Sequence, residues 1–111
     1  MKFALCNEVL QHLSIEDGFS KIAEIGYDGV EIAPFTLKEN PLDVNEEDAQ
    51  RCIKAADSAG IEIIGLHWLM AKTEGLHLTH QNEDMRKAAC EYLKKLTVLT
   101  SQMGGRIMVL G

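Results

Sequence analysis

Short apolar runs alternate along this chain with longer stretches whose apolar residues recur every three or four positions. Residues 3–6 are apolar and too few for a buried helix, which predicts a strand. After a polar segment over 7–14, Ile15, Phe19, Ile22 and Ala23 repeat at helical spacing. Ser14 stands where a side-chain oxygen can accept from the free amides of a first turn, and Glu16 and Asp17 suit the positive end of a helix dipole. Gly26 can take the left-handed conformation that closes a helix. Asp28-Gly29 is a turn signal. Residues 30–33 read as a second strand, stopped by Pro34, which has no N–H to give to a ladder.

Residues 35–44, with Pro41, read as a loop. Asn45 opens a second helix with Glu46, Glu47 and Asp48 in its first turn, a stripe of Ala49, Cys52, Ile53 and Ala56, and Gly60 as its end. Residues 61–66 form the clearest strand, followed by a polar loop over 67–81 rich in His and Thr. Asn82 caps a long third helix whose predicted buried face is Met85, Ala89, Leu93, Leu96, Leu99 and Met103. Gly104-Gly105 end it, and residues 106–110 form a fourth strand.

The resulting order is βαβαβαβ, which implies right-handed crossovers and a parallel sheet. Four strands with three helices make half of an eight-stranded (β/α)8 barrel, a fold of roughly 250 residues. The expected fold is therefore α/β, a single domain over 1–111 corresponding to the N-terminal half of such a barrel, with strands in sequential spatial order. A flavodoxin-like open sheet is the alternative, and spatial strand order separates the two. Two strand edges are left open in either case, so the sequence predicts a covering partner chain or a longer native protein. Ligands of parallel α/β folds bind at the C-terminal ends of the strands. That places the candidate residues at Asn7-Glu8, Glu31–Pro34 and His67-Trp68.

Composition narrows the class. The 111 residues are 46% hydrophobic and 25% charged, the balance of an ordinary globular domain. No apolar run approaches the roughly 18 residues that span a bilayer, and the N-terminus lacks the succession of a secretory signal. A net charge of -6 disfavours nucleic acid and anionic lipid as partners. The three cysteines, Cys6, Cys52 and Cys90, are odd in number and spaced for neither a disulfide framework nor a cysteine zinc site. Cys52 and Cys90 are expected on apolar helix faces and Cys6 in the core, which fits a reduced, cytoplasmic protein. No G-x-G-x-x-G follows the first strand.

Several segments together resemble the sugar phosphate isomerase/epimerase family, the xylose isomerase-like TIM barrels. They are Lys2-Phe3-Ala4-Leu5-Cys6-Asn7-Glu8, Gly26-Tyr27-Asp28-Gly29-Val30-Glu31-Ile32-Ala33-Pro34-Phe35, Gly65-Leu66-His67-Trp68-Leu69 and Gly75-Leu76-His77-Leu78-Thr79-His80. Gly104-Gly105-Arg106-Ile107-Met108-Val109-Leu110-Gly111 fits the fourth strand of that family. The resemblance implies a barrel in which a divalent metal (Mn, Mg, Co or Zn) binds a sugar, sugar phosphate or hydroxy-ketone and paired carboxylates shuttle a proton between adjacent carbons. It also implies that metal ligands and acid/base pair come from the later strands. This chain would then supply the N-terminal part of a ketose isomerase or epimerase and hold no metal of its own. Two alternatives accompany that reading: a non-catalytic half-barrel that pairs as a homodimer, and a nuclease-like relative, against which the net charge speaks.

Each candidate residue has a bland reading beside the functional one. Glu31, inside a strand, is either an internal ion-pair partner or an acceptor for a substrate hydroxyl. His67 is either hydrogen-bonded structure or a substrate contact, with metal ligation a lesser third option. Trp68 stacks on a sugar ring or caps the barrel mouth. Asn7 and Glu8 point into the mouth or cap the loop after the first strand. His77 and His80, with His67, invite a zinc reading, but a lid over the site is favoured.

Overall fold

The computed structural model describes residues 1–111. Four strands, β1 (Ala4–Cys6), β2 (Gly29–Ile32), β3 (Glu62–His67) and β4 (Ile107–Val109), alternate with α1 (Ile15–Ile25), α2 (Glu46–Ala59) and α3 (Glu83–Gln102). All neighbouring pairs are parallel, and the spatial order is β1-β2-β3-β4. Sequential neighbours throughout are the arrangement of the first half of a (β/α)8 barrel, and they exclude the flavodoxin-like order.

The helices form where their caps demand. The Ser14 hydroxyl accepts from Asp17 N–H at 3.0 Å, and Gly26 closes α1 at φ 105°. Asn45 and Asp48 form a reciprocal capping box on α2, and Gly60 ends it in the left-handed region. Asn82 accepts from Asp84 and Met85 at the start of α3. One core joins the inner stripes of the helices (Phe19 and Ile22; Cys52 and Ala56; Leu96 and Leu99) to Val30, Ile32, Ile63 and Leu66 of the sheet. No helix is long and apolar enough to cross a membrane.

Four details depart from the sequence expectation. Residues 7–10 and two pieces of the 35–44 loop are 3-10 turns, Asn7–Leu10, Pro34–Thr36 and Pro41–Asp43. Cys90 is exposed rather than on an apolar face, because it falls one residue beyond the stripe of Ala89, Tyr92, Leu96, Leu99 and Met103. Cys6 is only partly buried, since it ends a strand at the rim of the sheet. Strand boundaries shift by about a residue, and β3 runs on to include His67.

The pairing of β2 with β3 contains one irregularity that matters for the site. Val30 pairs with Ile63, but Glu31 pairs with Gly65, so the register skips Ile64. A bulge of one residue re-aims every side chain that follows it. Here it keeps Leu66 in the core beside Ile32 and turns His67 to the opposite face, the face of Glu31. Gly65 is required at this point. A Cβ there would lie 2.7 Å from the carbonyl carbon of Ile107 and overlap its oxygen, so β4 approaches closely enough to pair only over a glycine.

Candidate functional site at the strand ends

The C-terminal ends of the parallel strands gather most of the residues singled out by the sequence. Cys6 lies in register beside Glu31 at the end of β1, with Glu8 in the turn that follows. Glu31 and His67 project from β2 and β3 on one face of the sheet. Their side chains remain 25% and 26% exposed, so both are accessible to a ligand. His67 Nδ1 lies 3.3 Å from Glu31 Oε2. The approach is within ion-pair range but not aligned as a hydrogen bond, so Nδ1 is a buried atom without a hydrogen-bond partner. Such an atom is costly unless something completes it. Burial pushes the Cys6 thiol pKa up against a lowering backbone hydrogen bond at Glu8, and the Glu8 and Glu31 carboxylates add to the rise. The thiol is therefore poorly suited to act as a nucleophile.

Trp68 follows directly and is 44% exposed, with φ 57°, a left-handed backbone that non-glycine residues seldom adopt. Its ring stacks against His67 at a centroid distance of 6.1 Å and leans on Phe35 at 6.5 Å. Lys72, at φ 59°, places its ammonium 4.4 Å above the Phe35 ring. The aromatic row Phe35–Trp68–His67 thus borders the strand ends, with a cation at one end and the Glu31 carboxylate at the other. Neither Phe35 nor Lys72 was among the sequence candidates. The sequence marks Phe35 only as the last residue of the Gly26–Phe35 segment that carries the resemblance, and nothing in it marks Lys72.

Asn7 is placed differently from Glu31 and His67. It is buried, its carbonyl accepts from Ala33 N–H at 2.9 Å, and its amide donates to Thr36 Oγ1 at 2.7 Å. It braces the turn after β2 and so holds the end of the strand that carries Glu31. His80 is likewise engaged, with Nδ1 accepting from Asn82 N–H at 2.9 Å at the approach to α3. His77 stacks on His80 at 6.3 Å, and the structure does not bring this pair together with His67 into a ligand set.

No group of three or more His, Cys, Asp or Glu side chains is placed to hold a metal ion. Glu31 and His67 offer two donors, short of the ligand number that a catalytic metal needs. The residues of these four strands do not by themselves fit the divalent metal that the resemblance implies. The largest concavity, about 830 Å³, lies elsewhere, on the outer side between α1 and α2, lined by Glu16, Ser20, Gln50, Arg51 and Lys54 among others. We place the candidate site at the strand ends instead, because an unpaired polar atom, strained backbone and an exposed aromatic ring coincide there.

No curated protein matches the chain. The family described as the xylose isomerase-like TIM barrel matches residues 19–111, from within α1 through β4. With the sequential parallel sheet, that match over most of its length shows that the chain belongs to the xylose isomerase-like TIM-barrel family.

Proposed function

We propose that this chain forms the first half of the substrate mouth of a sugar or sugar-phosphate isomerase/epimerase. What supports the reading is the contact of Glu31 with His67 at the C-terminal ends of adjacent strands, 3.3 Å apart, with both side chains partly exposed and His67 Nδ1 lacking a hydrogen-bond partner. A sugar hydroxyl is both donor and acceptor, and so matches a carboxylate beside an imidazole. It donates to Glu31 and accepts from His67 Nε2, the ring nitrogen that is not buried, when that nitrogen carries the proton. Trp68 covers the C–H face of the carbon chain and excludes water. Asn7 holds the β2 end still, and Glu8 adds a second carboxylate at the rim. These residues bind and orient; none is assigned the proton transfer between carbons. The acid/base pair and any divalent metal belong, in this reading, to strands other than these four.

Trp68 is the sole tryptophan, so its emission reports on the mouth directly. Titration with ketoses is expected to quench it saturably, and Glu31→Gln or His67→Ala to weaken binding at least about tenfold, the loss of one charge-assisted hydrogen bond. In a barrel completed by a complementary second half and supplied with Mn2+ or Mg2+, ketose epimerisation is expected. A folded barrel without turnover on any ketose contradicts the proposal. A second reading rests on the open edges of β1 and β4, near which Phe3 and Ile107 stand exposed: two copies close each other's sheets. Sedimentation separates it, because a clean monomer excludes pairing.

A further inference from the structure

We infer that Lys72 selects substrates carrying an oxyanion, a phosphate ester or a carboxylate, remote from the carbons held by Glu31 and His67. The inference deepens the proposed function and rests on it. The loop after β3 is built so that two side chains face outward together. Leu69 and Thr73 are buried, and the Thr73 hydroxyl donates to Met70 O at 2.6 Å, while Trp68 and Lys72 are exposed. Ala71 N–H donates to Trp68 O at 3.1 Å and Thr73 N–H to Met70 O at 3.3 Å, closing successive tight turns. Trp68 and Lys72 are also the two non-glycine residues at positive φ in the whole chain. Left-handed backbone is unfavourable at such residues, and it persists where the surroundings hold it.

The result is an ammonium fixed over the Phe35 ring at 4.4 Å. Ring contact satisfies one side of the cation and leaves N–H donors facing away from the ring. Acids outnumber Lys and Arg in this chain by 17 to 11, yet no carboxylate pairs with Lys72. Five of the eight lysines have carboxylate partners; Lys54, Lys72 and Lys95 have none, and of these Lys95 is engaged by the Leu42 carbonyl. An uncompensated cation at one end of an aromatic row, with a carboxylate and imidazole at the other, is polarised like a sugar with hydroxyls at one end and an anion at the other. A neutral ketose would leave the Lys72 end unused.

The test uses Trp68 emission to compare four ligands on the chain: a neutral ketose, its terminal phosphate ester, the corresponding sugar acid, and inorganic phosphate as competitor. The native protein is expected to bind at least one of the two anionic ligands more tightly than the ketose, and whichever is favoured identifies the oxyanion. Lys72→Gln is expected to lose about tenfold of that affinity, near 1.4 kcal/mol, while the neutral ketose binds as before. Lys72→Arg is expected to restore most of the loss. Lys72 is exposed, so its replacement leaves the fold intact. Ketose binding that persists, with anionic ligands bound equally by native protein and Lys72→Gln, overturns this inference and leaves the proposed function standing. Failure of every ligand to bind native protein overturns both.

Discussion

The bulge in β3 makes Gly65→Ala the sharpest single perturbation of the fold. An added methyl would sit 2.7 Å from the Ile107 carbonyl carbon, where carbon atoms require about 3.5 Å or more, and would overlap the carbonyl oxygen. The obstacle is backbone, which cannot swing aside as a side chain does. Either β4 retreats by about an ångström or more, or β3 straightens. Retreat strains the pairs Gly65–Ile107, Leu66–Met108 and His67–Val109, and the bond from Arg106 N–H to Ile64 O at 2.8 Å. Two or three weakened hydrogen bonds, each worth about 1 kcal/mol, with partial exposure of half-buried Met108, amount to a loss of about 3 kcal/mol. Leu69 N–H donates to Val109 O at 3.4 Å, so the displacement reaches the residue next to Trp68. Urea unfolding followed by Trp68 emission measures both effects. A midpoint lowered by that amount and a shifted native emission are expected. A loss under about 1 kcal/mol with native emission unchanged would refute the close approach of β4 to Gly65.

Asn7→Ala strips the acceptor from the buried Ala33 N–H and is expected to cost about 1–3 kcal/mol in urea unfolding. Glu16 accepts from Arg51 Nε and a guanidinium NH2 at 2.7 Å each, and this hydrogen bonding lowers its pKa to about 2. Its stabilising contribution is therefore present above the ordinary carboxylate range and is lost as pH falls toward 2. Because both side chains are about half exposed, Glu16→Gln is expected to cost at most about 1 kcal/mol at neutral pH, a gap that closes near pH 2 in urea midpoints. Iodoacetamide should label Cys90 first and Cys6 more slowly. Cys52, buried and with its pKa raised to about 12 chiefly by desolvation, should react only on unfolding, as peptide mapping will show.

The helices could be read from the sequence because their signals are local. Ser14, Asn45 and Asn82 accept from amides two or three residues on, and Gly26 and Gly60 close the turns that precede them. Alternation pointed to a parallel sheet and left two strand orders, sequential and flavodoxin-like, between which only the folded chain decides. What escaped the sequence depends on partners distant in the chain. The carbonyl of Asn7 meets Ala33 and its amide meets Thr36, 26 and 29 residues away, and no local pattern announces either. Tyr92 joins the core although its hydroxyl is buried without a partner, and burial raises that phenol's pKa to about 12. Periodicity counts a tyrosine as ambiguous where tertiary packing decides. The skip at Ile64 is also silent in the sequence apart from Gly65, and Lys72 acquires meaning only once Phe35 lies beneath it.

The central claim is that sequential parallel strands and the Ile64 bulge bring Glu31 and His67 to one mouth on one face of the sheet. Nuclear Overhauser contacts between the His67 ring and the Glu31 side chain test it most directly, and with four histidines in the chain the ring is readily assigned. The expected spectrum contains His67–Glu31 cross-peaks together with cross-strand contacts from Val30 to Ile63 and from Ile32 to Leu66. A His67 ring in contact with core residues such as Ile32, with no cross-peak to Glu31, would contradict it.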